Sequence, residues 1–289
     1  LIQLGGVCNS SAATIVPVLV GYLMGTNEAA RTIAKANPAL FIAMGIFALA
    51  FIVLAVSNIP EPAYESAKTD SKPAADGKKY SAMSFRHFVL GIVAIFIYVG
   101  VEVGIPNISN LYMTQELGID PAMAGSLVGT YWFLMLVGRL VGGSIAGKVS
   151  SKAMLSGVSI IGLCLVLAAI FTAPTNEVMM PVFKSDISFG MVSVPANIMF
   201  LVLCGLCTSV MWGGIFNLAV EGLGKFTAAA SGIFMVMVCG GGILPAIQGF
   251  IADATSYMTS YWVIVAGLAY LLFYALVGSK NVNKDIPTE

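Results

Sequence analysis

Residues 87–113 read HFVLGIVAIFIYVGVEVGIPNISNLYM, a stretch that holds one carboxylate, Glu102, and no lysine or arginine. A helix crossing the roughly 30 Å hydrocarbon layer needs about 20 such residues. In lipid only a helix or a closed barrel satisfies its backbone groups. Seven further runs of the same kind surround this one, at about 1–24, 38–57, 122–146, 153–173, 195–220, 227–250 and 258–278. They are too long and too continuously apolar for barrel strands of about 10 alternating residues. The fold class is therefore all-α, a polytopic membrane helical bundle.

Composition points the same way. The 289 residues are 58% hydrophobic and 10% charged, where soluble proteins carry about 25% charge. Such a surface must face a lipid bilayer. Fourteen basic and fourteen acidic residues leave no net charge, which excludes nucleic acid as a partner. The positions of the charges are more informative. Lys68, Lys72, Lys78, Lys79 and Arg86 follow the second run, Arg139, Lys148 and Lys152 the fourth, Lys225 the sixth, and Lys280 and Lys284 the eighth. Only Arg31, Lys35 and Lys184 fall on the other side. The positive-inside rule then puts the ends of the even-numbered spans, and both ends of the chain, in the cytoplasm. The expected location is the cell (inner) membrane, multi-pass, as a monomer.

Residues 58–86 form the longest polar stretch, with Pro60, Pro62 and Pro73 among lysines, aspartates and serines. This composition builds no core and reads as a cytoplasmic linker, dividing the chain into 1–57 and 87–289. Ile15-Val16-Pro17 with Gly21 in the first span matches Ile243-Leu244-Pro245 with Gly249 in the seventh. Each is followed by one last span, the signature of two parallel six-helix repeats. On that reading residues 1–57 are the last two helices of an N-terminal half. The remaining four belong upstream of Leu1, and 87–289 is the C-terminal half.

Charges within spans are costly and default to function. Glu102 sits near the middle of its span, where a carboxyl can bind and release a proton or donate to a substrate hydroxyl. Pro106 removes the N–H that would pair with the Glu102 carbonyl, so a bend is expected there. At about 100° per residue, Tyr98, Glu102, Ile105 and Ser109 share one face. Asn9, Asn107, Asn110, Asn217 and Gln248 add amides that both donate and accept. Tyr98, Trp132 and Trp212 add flat faces suited to a polyhydroxylated ring. Together these are sugar-binding chemistry, although each amide taken singly also serves as interhelical glue. Small residues recur at spacing four in Gly138 and Gly142 and in Gly205, Ser209 and Gly213, which permits close helix packing. Arg139, beside Gly138 near the end of the fourth span, is expected to orient the helix or bridge a gate.

Other chemistries find no support. The five cysteines fall in apolar runs, and Cys204-x-x-Cys207 has no second pair or nearby histidine. The single His87 builds no metal or nucleophile site alone. There is no P-loop. The expectation is no cofactor, no metal and no enzyme activity.

Three stretches carry a resemblance. Phe96-Ile97-Tyr98-Val99-Gly100-Val101-Glu102-Val103 is similar to the seventh-helix signature of the sugar:proton symporters of the major facilitator superfamily. The run from Met211-Trp212 through Asn217 to Glu221-Gly222-Leu223-Gly224-Lys225-Phe226-Thr227 resembles their tenth helix and following loop. Gly240-Gly241-Gly242-Ile243-Leu244-Pro245 through Gln248-Gly249 to Asp253 resembles their eleventh. The resemblance implies the fifth to twelfth helices of a twelve-helix fold, alternating access, and a sugar (a hexose or 6-deoxyhexose such as glucose, galactose or fucose) carried with a proton. Two positions depart from the pattern. Gly6 stands where a glutamine is frequent, and Gly213 where a proline is. Two other readings stay open: a facilitator transporter for another metabolite or drug, and a sugar sensor on the same fold.

Overall fold

The computed structural model describes residues 2–24, 33–58, 80–183, 188–283 and 285–288. The linker expected at 58–86 lies outside the described residues from 59 to 79, as do Arg31, Lys184 and Lys284. Among the described residues ten α-helices follow one another: α1 (Ile2–Met24), α2 (Ile33–Val56), α3 (Arg86–Leu111), α4 (Pro121–Ile145), α5 (Ser151–Phe171), α6 (Ala196–Thr208), α7 (Met211–Val220), α8 (Thr227–Val236), α9 (Gly240–Ala254) and α10 (Tyr257–Phe273). Among the described residues seven helical stretches are long and apolar enough to cross a membrane, and α1 adds a further 23-residue helix. Two expected single spans are each two helices. The sixth breaks between α6 and α7 at Ser209–Val210, and the seventh carries a 3-10 turn, Met237–Cys239, between α8 and α9. Tyr112–Glu116 and Tyr274–Gly278 extend α3 and α10 as π-helical turns.

A hairpin was not foreseen. Strands β1 (Glu177–Phe183) and β2 (Phe189–Pro195) pair antiparallel, from Glu177 opposite Pro195 to Phe183 opposite Phe189. Met180, Val182 and Val194 are buried while Met179, Phe189 and Met191 are exposed. That alternation is what seats a two-stranded sheet by one face. It packs on α4 and α6, at the end of the bundle opposite the α4–α5 turn.

Small residues set how closely the helices approach. A Cβ on Gly138 would meet the Ser209 side chain, one on Gly142 would meet Val210, and one on Gly205 would meet the backbone carbonyl of Tyr131. The small residues of α4 and α6 thus form one seam, with Gly138 facing Ser209, Gly142 facing Val210 and Gly205 facing Tyr131. On the other side of α3, Gly100 lies against Leu244 and Gly240 against the backbone of Phe96. These contacts bring α9 onto α3 as a close pair.

The start of α4 is built by one side chain. Asp120 Oδ1 accepts hydrogen bonds from Ala122 N at 2.9 Å and Met123 N at 3.2 Å, and Pro121 takes the first helical position, where its missing N–H costs nothing. Asp120→Ala is expected to lower stability by about 1 kcal/mol and Asp120→Asn to leave it nearly unchanged, since asparagine caps equally well. Thermal unfolding in detergent measures both.

Candidate functional site

Glu102 is placed by α3, and α3 runs unbroken through Pro106. The carbonyl that Pro106 leaves without an N–H four residues on has a replacement donor, the Tyr131 hydroxyl of α4 at 3.0 Å. The same hydroxyl lies 3.1 Å from Thr208 Oγ1 of α6, and the Tyr98 hydroxyl donates to the Thr208 carbonyl at 3.1 Å. Three helices are therefore tied together by phenol groups directly behind the carboxyl.

The Glu102 side chain meets a cation. Arg139 Nη2 lies 3.0 Å from Glu102 Oε1, with the two side chains 5% and 10% exposed. Arg139 Nη1 donates to the Gly6 carbonyl at 2.6 Å and to Ser10 Oγ at 2.8 Å, both on α1, and Nε donates to the Ser209 carbonyl at 3.3 Å. One guanidinium thus joins α4 to α1, α3 and the α6–α7 joint. This corrects the expectation for Arg139. It is not an orientation charge at a helix end but a buried partner of Glu102, and the count behind the positive-inside argument becomes ten against three.

The ion pair forms one wall of a cavity of about 460 Å³, inside the range of about 300–1,000 Å³ typical of small-molecule sites. Gly5, Gly6 and Asn9 come from α1, Val99 and Glu102 from α3, Arg139 from α4, Trp212 from α7 and Val238 from the turn before α9. The lining pairs a carboxylate and guanidinium with a carboxamide, a flat indole and apolar faces. That set can bind a neutral polyol by charge-assisted hydrogen bonds on one side and stacking on the other. Among the described residues no cluster of metal-binding side chains occurs.

The Major Facilitator Superfamily family description matches residues 4–246, most of the chain. The chain belongs to the Major Facilitator Superfamily. The glucose/galactose transporter of Brucella abortus is 30% identical over 276 residues, covering 94% of this chain and 62% of that protein. The L-fucose-proton symporter of Escherichia coli is 23% identical over 188 residues, 64% of this chain and 38% of that protein. This chain therefore spans less than two thirds of the length of the curated relatives it matches. The crystal structure of a Major Facilitator Superfamily transporter, FucP, in the outward conformation superposes with a TM-score of 0.70 at 18% identity, covering 96% of this chain and 68% of that one. At that identity the likeness speaks for the fold.

Within this facilitator fold, three of the expected binding residues line the cavity: Glu102, Asn9 and Trp212. Tyr98 stands one layer back, fully buried, with its ring edge-on to Trp212 at 6.3 Å between centroids. The others are elsewhere. Asn107 is exposed and Asn110 half-buried; at 100° per residue, Asn107 lies about 140° around α3 from Glu102. Trp132 packs edge-on to Tyr131 at 5.3 Å, one residue round from the inward face. Asn217 is also about 140° from Trp212. Its Nδ2 lies 3.4 Å from Ser151 Oγ, beside a larger cavity of about 820 Å³ at the start of α5. Gln248 is fully buried against Gly104, with no hydrogen-bond partner for either amide atom among the described residues. Ser109, expected on the cavity face, instead hydrogen-bonds with the Tyr261 hydroxyl of α10 at 2.7 Å. Sequence reading missed Gly5, Gly6, Val99 and Val238 in the cavity wall, and Ser10 beside Gly6 as an acceptor for Arg139. The departure at Gly6 was visible, but not that its bare carbonyl receives Arg139.

Proposed function

We propose that this chain is the larger part of a sugar:proton symporter that carries a hexose or 6-deoxyhexose by alternating access, without covalent chemistry on the sugar. The observation that carries the reading is the cavity in which a carboxylate, an amide and an indole converge, in a chain 30% identical to a glucose/galactose transporter over 94% of its length. Glu102 and Asn9 serve as polar contacts to sugar hydroxyls and Trp212 as the stacking face. Residues 1–57 are the closing helix pair of one six-helix half, 58–86 the cytoplasmic linker and 87–289 the other half. The location is the inner membrane, with even-numbered spans ending in the cytoplasm.

The test is uptake of radiolabelled glucose, galactose and fucose into cells producing the complete protein, with and without a protonophore. Uptake of at least one sugar that collapses with the proton gradient is expected. Absence of gradient-driven uptake of any hexose overturns the proposal. Uptake suppressed by unlabelled non-sugar metabolites but not by sugars transfers the site to another substrate class.

A further inference from the structure

We infer that the larger cavity, of about 820 Å³ where α5 begins and α7 and α10 end, binds an anionic phosphodiester, the headgroup of an acidic phospholipid of the cytoplasmic leaflet. The inference rests on the membrane orientation proposed above and not on which solute is carried. It gives a ligand to Lys152 and Lys280, which otherwise count only as topology charges.

Two ammoniums, Lys152 and Lys280, line this cavity against one carboxylate, Glu221. The wall therefore carries a single excess positive charge. Among the described residues neither lysine is held by a carboxylate, so the concave wall attracts an anion from outside the chain. A phosphodiester brings the one negative charge that balances it. The dianion of a phosphate monoester would instead leave a charge facing Glu221. Basic pockets between helices on the cytoplasmic side are suited to phospholipid headgroups for this reason.

The neutral donors are placed by the fold. Gly222, in the turn after α7, has φ +73°, a conformation that favours glycine, and a Cβ on it would stand 2.9 Å from Asn281 Nδ2. The bare turn thus seats the Asn281 amide in the wall. Asn281 Oδ1 accepts from Asn283 N at 3.0 Å, which leaves the Nδ2 hydrogens for a phosphate oxygen. Across the cavity, Asn217 Nδ2 has only a long 3.4 Å contact with Ser151 Oγ. Two ammoniums and two amides form a donor set for phosphate oxygens, the charged pair supplying the stronger bonds. Next to these donors in the chain the surface turns apolar. Val149 precedes Ser150, Leu276 and Val277 lie one turn before Lys280, and all three are exposed. At the end of a membrane span such residues face acyl chains, so a headgroup in the cavity keeps its chains on an apolar rim, which a free phosphate ester would leave uncovered.

The test follows the thermal midpoint of the complete protein in detergent as dioctanoyl phosphatidylglycerol, dioctanoyl phosphatidylcholine or glycerophosphoglycerol is added. A saturable rise with phosphatidylglycerol alone is expected, because a ligand that binds only the folded state raises its stability. Lys152→Gln and Lys280→Gln are each expected to raise the half-saturating concentration about fivefold. Asn217→Ala is expected to raise it severalfold with no change in charge, and Lys152→Arg with Lys280→Arg to keep it. Lys148→Gln removes a lysine outside the cavity lining and is expected to behave as the parent. The lipid comparison on the parent and Asn217→Ala carry the test if a glutamine variant does not fold. No rise with phosphatidylglycerol, an equal rise with the zwitterionic phosphatidylcholine, or equal weakening by Lys148→Gln and Lys280→Gln overturns the inference. An equal rise with glycerophosphoglycerol, the same headgroup without chains, overturns the assignment to lipid. The readout needs no sugar. A selective, lysine-dependent rise in a protein that takes up no hexose removes the sugar reading and keeps this site. Gradient-driven uptake without the rise does the reverse.

Discussion

Gly240→Ala is expected to destabilise the folded protein strongly, while Gly242→Ala, two residues on, leaves it intact. A Cβ on Gly240 would fall on the carbonyl, carbonyl carbon and Cα of Phe96. Those are backbone atoms in the interior of α3, so no rotamer change relieves the overlap and α9 must move away from α3 as a unit. Ordinary overpacking of a core costs about 1–3 kcal/mol; a backbone-on-backbone clash between the two most intimately packed helices belongs at or above the top of that range. Gly241 is intermediate, since its Cβ would meet the Val99 side chain at 2.8 Å, and a side chain can turn. Gly242 faces open space, where a surface change is worth within about 0.5 kcal/mol. Thermal midpoints of the three alanine variants in detergent should follow the order 240 far below 241, and 241 below 242. Equal midpoints at 240 and 242 would mean that α9 does not lie on α3 as described.

That gradation marks the limit of sequence reading in this fold. The Gly240-Gly241-Gly242 run is visible as a packing element, but which glycine touches the neighbour depends on a 3-10 turn at Met237–Cys239 that resets the helix face. No proline or charge announces that turn. The spans themselves were legible because a bilayer demands about 20 apolar residues from every crossing, a constraint written in one dimension. The β1–β2 hairpin was not legible in the same way. Its alternation is only seven residues per strand, shorter than any window tuned to helices.

The site divides along the same line. Glu102 was legible because a carboxyl at mid-span has no cheap explanation. Arg139 was misplaced because it lies six residues before the end of α4, where a long basic side chain commonly reaches the interface. Its partner is 37 residues away in the chain, and its α1 contacts are more than 120 away. Neither separation leaves a periodic trace. The amides were pooled by type and depth, but depth does not fix azimuth. Asn107 and Asn217 share the right height and face the wrong way, and Gln248 is sealed in the α3–α9 seam.

Arg139→Met is expected to destabilise the protein by about 3–5 kcal/mol, and the double variant Arg139→Met with Glu102→Met to recover most of that loss. Removing the arginine alone leaves the Glu102 carboxylate, only 10% exposed, without its cation, which is the expensive way to break a buried pair. Removing both leaves two flexible apolar side chains of similar volume in a lipid-depth interior, which is often neutral or stabilising. The Gly6 and Ser209 carbonyls lose a donor in either case, so recovery is incomplete. Unfolding in detergent of the two single variants and the double one gives the coupling directly as the departure from additivity. Additive losses would mean that Glu102 and Arg139 are not one unit. Non-additive recovery without transport would mean that the pair serves transport rather than stability.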